Sequence, residues 1–202
     1  MPRLQQLIYV GDPMCSWCWG FAPELRRLRR SLPGGVRLSL CMGNLRNGHS
    51  WDDAFKTYLR RHWAEVAQRT GQPFDTVLLE QEQFDYTTEP ACRAVCTARA
   101  IDPERVFDFF ESLQRAFYAE GRDITDARLL CDLAAASGYD AERFAALFAS
   151  PTMYEQVDSD RHRARAYGAS SFPSLVAIDS EGHLSILRGY RTCEALQKML
   201  GL

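Results

Sequence analysis

Hydrophobic and polar positions follow two different periodicities near the start of the chain. An apolar, β-branched run at 7–10 ends in a Gly-Asp-Pro segment at 11–13, which predicts a buried strand followed by a turn. Apolar positions then recur at helical spacing until the Pro-Gly-Gly segment at 33–35 ends the predicted helix. Residues 36–41 alternate again and predict a second strand. A strand, a helix and a strand in this order form a βαβ unit, so the two strands should be parallel.

The middle of the chain, from about residue 50 to 166, keeps helical spacing throughout. We expect five or six helices there and no strand. Small polar residues that favour the N-cap position, two of them followed by proline, indicate where these helices begin. The candidates are Ser50 in a capping box with Asp53, then Asp102, Asp126 or its neighbour Thr125, Asp140 and Ser150.

The last part of the chain returns to strands. Residues 174–178 and 184–187 predict a β-hairpin around a turn at 179–182, and Thr192 predicts the start of a final helix. This ββα half can share one mixed sheet with the βαβ half. We therefore expect an α/β fold with an all-helical insertion, divided into residues 1–48, 49–166 and 167–202.

Composition and charge are those of an ordinary globular protein. The chain has 202 residues, of which 46% are hydrophobic and 25% charged, and its net charge is −2. This charge favours neither nucleic acid nor an anionic membrane as a partner. No apolar run approaches the roughly 20 residues that span a bilayer, and no signal-peptide pattern precedes the first strand. We expect a cytoplasmic protein.

Two of the seven cysteines, Cys15 and Cys18, form a CxxC motif between the first strand and its helix. The thiolate is the reactive form of cysteine, and the unpaired N–H groups and macrodipole at a helix N-terminus favour negative charge there. Cys15 should therefore attack disulfides. Cys18 lies one turn deeper and should resolve the mixed disulfide that results.

A zinc site is the competing interpretation of a CxxC motif, but it requires further ligands at similar spacing. The other close pair, Cys92 and Cys96, lies at i, i+4 on a predicted helix, which is too far apart for a good disulfide. We interpret both as packed thiols, with an auxiliary redox or metal pair as the alternative. The three remaining cysteines, Cys41, Cys131 and Cys193, are expected in the core, and no metal site is predicted.

Asp12 is the titratable residue nearest to the motif. It can relay a proton for Cys18, or it can form an Asx turn or helix cap before Pro13. At the other end of the chain, Pro173 stands directly before a predicted buried strand, where its missing N–H is tolerated.

Together these segments resemble the thioredoxin superfamily, and the helical insertion is similar to that of its DsbA-like branch. The stretch at 9–21, with Asp-Pro before the cysteines and Trp-Cys-Trp-Gly around the second one, resembles the cytoplasmic FrnE-type relatives. The resemblance implies a thioredoxin fold, a cis-proline at Pro173 that faces Cys15, and a Phe172 backbone able to pair with substrate. It also places Ser16 and Trp17 between the reactive thiols, with Trp17 and Trp19 expected to form an apolar rim for substrate.

The function implied by this resemblance is thiol–disulfide exchange on a protein or small-molecule substrate. It needs no bound cofactor beyond the cysteine pair, with glutathione as a possible co-substrate. Two alternatives remain open. One is a glutathione-dependent transferase or isomerase of the kappa or 2-hydroxychromene-2-carboxylate type, which the intact cysteine pair argues against. The other is a redox-regulated peptide-binding chaperone.

Overall fold

A four-stranded mixed sheet forms the centre of the protein. The structure is a computed structural model that describes residues 3–45, 48 and 50–202. The strands are β1 (Leu4–Gly11), β2 (Arg37–Met42), β3 (Ser174–Asp179) and β4 (Leu184–Arg188), arranged in the order β2-β1-β3-β4. Strand β1 is parallel to β2 and antiparallel to β3, which in turn is antiparallel to β4. The predicted α/β fold class is confirmed.

Eight α-helices occur in the described part of the chain. They are α1 (Ser16–Ser31), α2 (Asp53–Thr70), α3 (Glu89–Ile101), α4 (Val106–Tyr118), α5 (Ala127–Ala136), α6 (Ala141–Phe148), α7 (Pro151–Ala166) and α8 (Cys193–Leu200). A short 3₁₀ helix spans Val77–Glu80. In the sequence, helices α2 to α7 follow β2 and precede β3, so the expected all-helical segment is present. Each of these described helices is too short or too polar to cross a lipid bilayer.

The two faces of the sheet are both covered. Leu7 and Tyr9 of β1 point into the larger apolar cluster with α1, α4 and most of the helical segment. Ile8 and Val10 point the other way, into a smaller cluster that includes Ala164 of α7. This alternation is the period of two expected for a strand. The larger cluster contains residues from the sheet and from the helical segment alike. The division of the chain into parts at residues 48 and 166 stays a prediction.

Two predicted helix starts were wrong. Asp52, not Ser50, is the N-cap of α2, because its carboxylate accepts a hydrogen bond from the Phe55 N–H at 2.8 Å. Asp102 ends α3 instead of starting the next helix: its N–H donates to the Ala98 carbonyl, and α4 begins only at Val106. By contrast, Asp126, Asp140, Ser150 and Thr192 are N-caps as predicted.

Candidate active site

The CxxC motif lies where β1 passes into α1. After the strand ends at Gly11, the chain makes a tight turn in which the Cys15 N–H donates to the Asp12 carbonyl at 3.1 Å. Cys15 is the N-cap of α1, and its own carbonyl accepts the first helical hydrogen bond from Trp19. Cys15 thus lies at the helix terminus where orphan N–H groups gather, and Cys18 lies one turn inside the helix.

The two thiols differ in their surroundings. Both are free cysteines, with Cys15 7% exposed and Cys18 fully buried. Burial raises the pKa of Cys18 well above its ordinary value, and hydrogen bonding to Cys15 and the charge of Cys15 raise it further. Hydrogen bonds from Tyr9 and from the Asp12 backbone act in the opposite direction. Cys18 is therefore a neutral thiol at neutral pH, held in contact with Cys15.

Residues far along the chain complete the surroundings of Cys15. The Cys15 thiol donates to the Phe172 carbonyl oxygen at 3.7 Å, and the Phe172–Pro173 peptide bond is cis. Pro173 is buried, while Phe172 is partly buried. The Phe172 ring packs against the backbone of Gly43, where a Cβ atom would lie only 2.1 Å from its Cζ atom. Gly43 thus leaves room for the ring of the residue whose carbonyl accepts from Cys15.

An open cavity of about 180 Å³ lies beside Cys15. Side chains from α1, α2 and two loops line it, among them Met14, Cys15, Ser16, Trp17, Leu45, Tyr58, His62 and Tyr86. His62 stacks on Tyr58 with ring centroids 5.5 Å apart, and meets Trp17 edge-on at 6.3 Å. The cavity therefore presents aromatic surface and one imidazole next to the outer thiol.

The two tryptophans of the motif have different surroundings. Trp17 is partly exposed and contacts His62 and Tyr190 at the cavity. Trp19 was expected at the same rim, but it is buried, and its indole N–H donates to the Pro73 carbonyl at 2.9 Å. Two residues along a helix amount to a rotation of about 200°, which carries Trp19 to the opposite side.

Asp12 is fully buried and forms hydrogen bonds with the backbone. Its carboxylate accepts from the Met14 N–H at 2.8 Å, from the Leu45 N–H at 2.7 Å and from the Cys92 thiol at 3.4 Å. Burial raises the pKa of Asp12, although these donors lower it. The Met14 contact is an Asx turn that holds the loop before Cys15. The role of Asp12 as a proton relay stays a prediction.

The other five cysteines are free thiols. Cys92 and Cys96 are free and buried, and Cys41 and Cys193 are buried as well. Cys131 was expected in the core, but it is only partly buried, at the edge of the larger apolar cluster. Across residues 3–45, 48 and 50–202, no three His, Cys, Asp or Glu side chains gather closely enough to hold a metal ion.

Sequence reasoning missed His62, Tyr58 and Gly43. Nothing in the sequence pairs His62 with Cys15, because α2 lies in the helical segment and meets α1 only through tertiary packing. Gly43 directly follows β2, and nothing in the sequence around it indicated a contact with Phe172. The helical spacing of α2 places Tyr58 and His62 on one face, which is the one signal that could have grouped them.

The sequence of this chain matches the thioredoxin family over residues 8–197. The chain belongs to this family. Its solved relatives are DsbA-like oxidoreductases, so the resemblance stated from the sequence is confirmed. A Nitrosomonas europaea protein described as a protein disulfide isomerase is 35% identical, with a TM-score of 0.89 over 98% of this chain and 96% of the other.

Two further comparisons concern proteins with stated roles. The cytosolic disulfide reductase DsbM from Pseudomonas aeruginosa is 29% identical, with a TM-score of 0.76 over 91% of this chain and 89% of DsbM. DsbM has also been solved with glutathione. The ClpXP adapter protein SpxH of Bacillus subtilis is 23% identical over 89% of this chain. The chain spans only 60% of the length of SpxH.

Proposed function

We propose that this protein is a thiol–disulfide oxidoreductase in which Cys15 attacks the substrate and Cys18 resolves the mixed disulfide. One observation carries the proposal. The Sγ atom of Cys15 lies at a helix N-terminus, beside an open cavity and 3.7 Å from the Phe172 carbonyl, while Cys18 is buried beneath it. An incoming disulfide therefore meets Cys15 first.

The proposed reaction runs in two displacements. The Cys15 thiolate attacks one sulfur of a substrate disulfide, whose S–S bond breaks and releases the first thiolate. Cys18 then loses its proton to solvent and attacks Cys15, which releases the second thiolate and leaves a Cys15–Cys18 disulfide. The substrate gains two electrons and the protein loses two. The same steps in reverse oxidise a dithiol substrate.

Substrate would lie along the outer face of the motif. We propose that Ser16 and Trp17, which line the cavity, contact it next to Cys15, and that the Phe172–Pro173 backbone, whose carbonyl now accepts from Cys15, pairs with an extended peptide. The substrates are disulfide- or thiol-containing proteins or small molecules. We propose glutathione as a co-substrate and the cytoplasm as the location, because the similar DsbM is described as cytosolic and was solved with glutathione.

Single replacements of three cysteines test this proposal. We expect Cys15→Ser to abolish turnover of a glutathione mixed disulfide and Cys18→Ser to accumulate a covalent adduct that mass spectrometry detects. Cys131→Ser is the matched control, since Cys131 is partly exposed and is not part of the cavity wall. Adduct formation by Cys15→Ser alone would reverse the two roles. Full turnover by both variants would reject the proposed function.

A second candidate is an adapter that binds proteins without disulfide exchange, because the curated relatives are named ClpXP adapter proteins. In that case the aromatic cavity would hold a peptide. The Cys15→Ser, Cys18→Ser double variant separates the two candidates. Peptide binding that survives in this variant, with no turnover by the unaltered protein, would favour the adapter.

A further inference from the structure

Tyr9 lies directly behind the CxxC motif, and its ring follows β1 toward the cysteines. A Cβ atom on Gly11 would come within 2.9 Å of the Cε1, Cζ and Oη atoms of Tyr9. Residues i and i+2 of a strand share one face, so the ring lies over Gly11 and uses the space that a side chain there would fill. Phe21 of α1 and Phe110 of α4 hold the ring from the sides, with centroids 5.8 Å away in both cases.

The hydroxyl of Tyr9 is buried and makes no hydrogen bond of ordinary geometry to any nitrogen, oxygen or sulfur atom of the described residues, although it lies close enough to Cys18 to affect the pKa of that thiol. Leaving a buried polar group unsatisfied is costly, so such a group in a native fold calls for a reason. A phenylalanine would fill the same space without that cost. The hydroxyl therefore serves something other than packing.

The thiol of Cys18 lies in the same buried cluster as this ring, and Phe21, one turn after Cys18 on α1, packs on the ring with centroids 5.8 Å apart. Burial raises the pKa of Tyr9 well above its ordinary value, and the charge of Cys18 and hydrogen bonding to Cys18 raise it further. Hydrogen bonding to Tyr9 has the opposite effect on Cys18, whose pKa it lowers. Tyr9 thus keeps its proton at neutral pH, and toward a Cys18 thiolate, which has no proton to give, its hydroxyl acts as the donor.

Further polar groups lie on the same side of the motif. Gln114 and Tyr118 lie one turn apart on α4, and the polar ends of both are buried with no hydrogen-bond partner among the residues that the structure describes. Phe110, one turn before Gln114, is the residue that packs edge-on against Tyr9. The helix that packs against Tyr9 therefore buries further polar side chains.

We propose that Tyr9 is a positioning residue that donates a hydrogen bond from Oη to the Sγ atom of Cys18 whenever this sulfur is a thiolate. The inference rests on the proposed disulfide exchange. When a thiolate attacks Cys15 in the Cys15–Cys18 disulfide, a new S–S bond forms at Cys15, the old one breaks, and the electron pair leaves on Cys18. Tyr9 stabilises this buried leaving thiolate, and in the reverse step it stabilises the attacking thiolate.

Tyr9→Phe tests the assignment, because it removes the hydroxyl and keeps the ring. The oxidised protein is mixed with excess dithiothreitol, and tryptophan fluorescence follows the opening of the disulfide. We expect a rate about tenfold lower, since a hydrogen bond to a charged group has that order of strength and a weaker leaving group departs more slowly. Tyr139→Phe is the matched control: Tyr139 lies between α5 and α6, its hydroxyl donates to the Asp102 carbonyl and it is not part of the cavity wall, so the rate should stay unchanged.

A second readout separates donation from packing. In ¹³C spectra of the reduced protein labelled at cysteine Cβ, the titration of Cys18 should move about one pH unit higher in Tyr9→Phe. Difluorotyrosine at position 9 keeps the ring and is a stronger donor, so it should speed the opening. Unchanged titration and unchanged rates in both variants would overturn the inference. Failure of the unaltered protein to form a Cys15–Cys18 disulfide would reject the proposed function instead, and the titration would still decide the role of Tyr9.

Discussion

Cys15 and Cys18 are three residues apart, yet the regions on their two sides differ in almost every respect. On the outer side, Cys15 borders a cavity with aromatic walls and contacts the Phe172 carbonyl. On the inner side, Cys18 has no exposed surface and lies against Tyr9, whose buried hydroxyl makes no ordinary hydrogen bond within the described part of the chain. The motif spacing is shared by many proteins. The unequal surroundings are the basis of the different roles proposed for the two sulfurs.

The largest effect should come from pH, acting on the inner thiol. Because the pKa of Cys18 is raised above 9.0, the thiol form dominates at neutral pH, and its thiolate fraction rises about tenfold per pH unit below that pKa. The step in which Cys18 displaces the second thiolate should therefore accelerate about a hundredfold from pH 7 to 9. Stopped-flow release of the second chromophore from an aromatic disulfide measures this step. Cys18→Ser should lack the second phase, and a plateau below pH 8 would contradict the prediction.

A methyl group on Gly43 should disturb the contact between the Phe172 carbonyl and Cys15 on the outer side of the motif. Its Cβ would lie 2.1 Å from Cζ of Phe172, so the ring must move and take its carbonyl away from Cys15. Because misplacement of about 1 Å can cost up to a hundredfold in rate, we expect Gly43→Ala to lower kcat/KM roughly ten- to a hundredfold. Gly34→Ala is the matched control, since no atom lies within 4 Å of a Cβ there. Equal activities of the two variants would show that the Phe172 carbonyl is not needed.

A methyl group on Gly11 is the corresponding change on the inner side. It would meet three atoms of the buried Tyr9 ring at 2.9 Å, and Phe21 and Phe110 leave this ring no room to withdraw. We expect Gly11→Ala to lower the free energy of unfolding by about 1–3 kcal/mol, as for other overpacked cores. Chemical denaturation measures the loss, again with Gly34→Ala for comparison. A stability equal to that of the unaltered protein would mean that the Tyr9 ring can move to accommodate the added methyl group.

The smallest effect should come from the cavity wall. Trp17 is partly exposed and contacts His62, so its removal takes away apolar surface without uncovering the core. We expect Trp17→Ala to raise KM for a peptide disulfide about three- to tenfold and to leave the reaction with dithiothreitol unchanged, because a small reductant does not use this surface. Steady-state kinetics with both substrates checks this. An equal loss with both would indicate damage to Cys15 itself.

Local signals predicted most of the elements correctly. The strands, the first helix, and the N-caps Asp126, Asp140 and Thr192 depend on residues close together in sequence, so periodicity and capping chemistry were sufficient. Where two capping candidates competed, as at Ser50 and Asp52, or where a helix was ending instead of beginning, as at Asp102, sequence alone chose wrongly. Both alternatives satisfy the same local preferences, and packing selects between them.

The sequence by itself determined that a cysteine pair stands at the start of a helix after a buried strand, and that a proline precedes a second buried strand. Only the tertiary structure decided that the Phe172 carbonyl meets Cys15, that His62 borders the cavity, and that the hydroxyl of Tyr9 lies behind Cys18. The physical reason is the sequence separation of the residues that interact. Helix and strand formation depend on neighbours a few residues away, whereas burial and hydrogen bonding at these sulfurs depend on segments that meet only when the chain has folded.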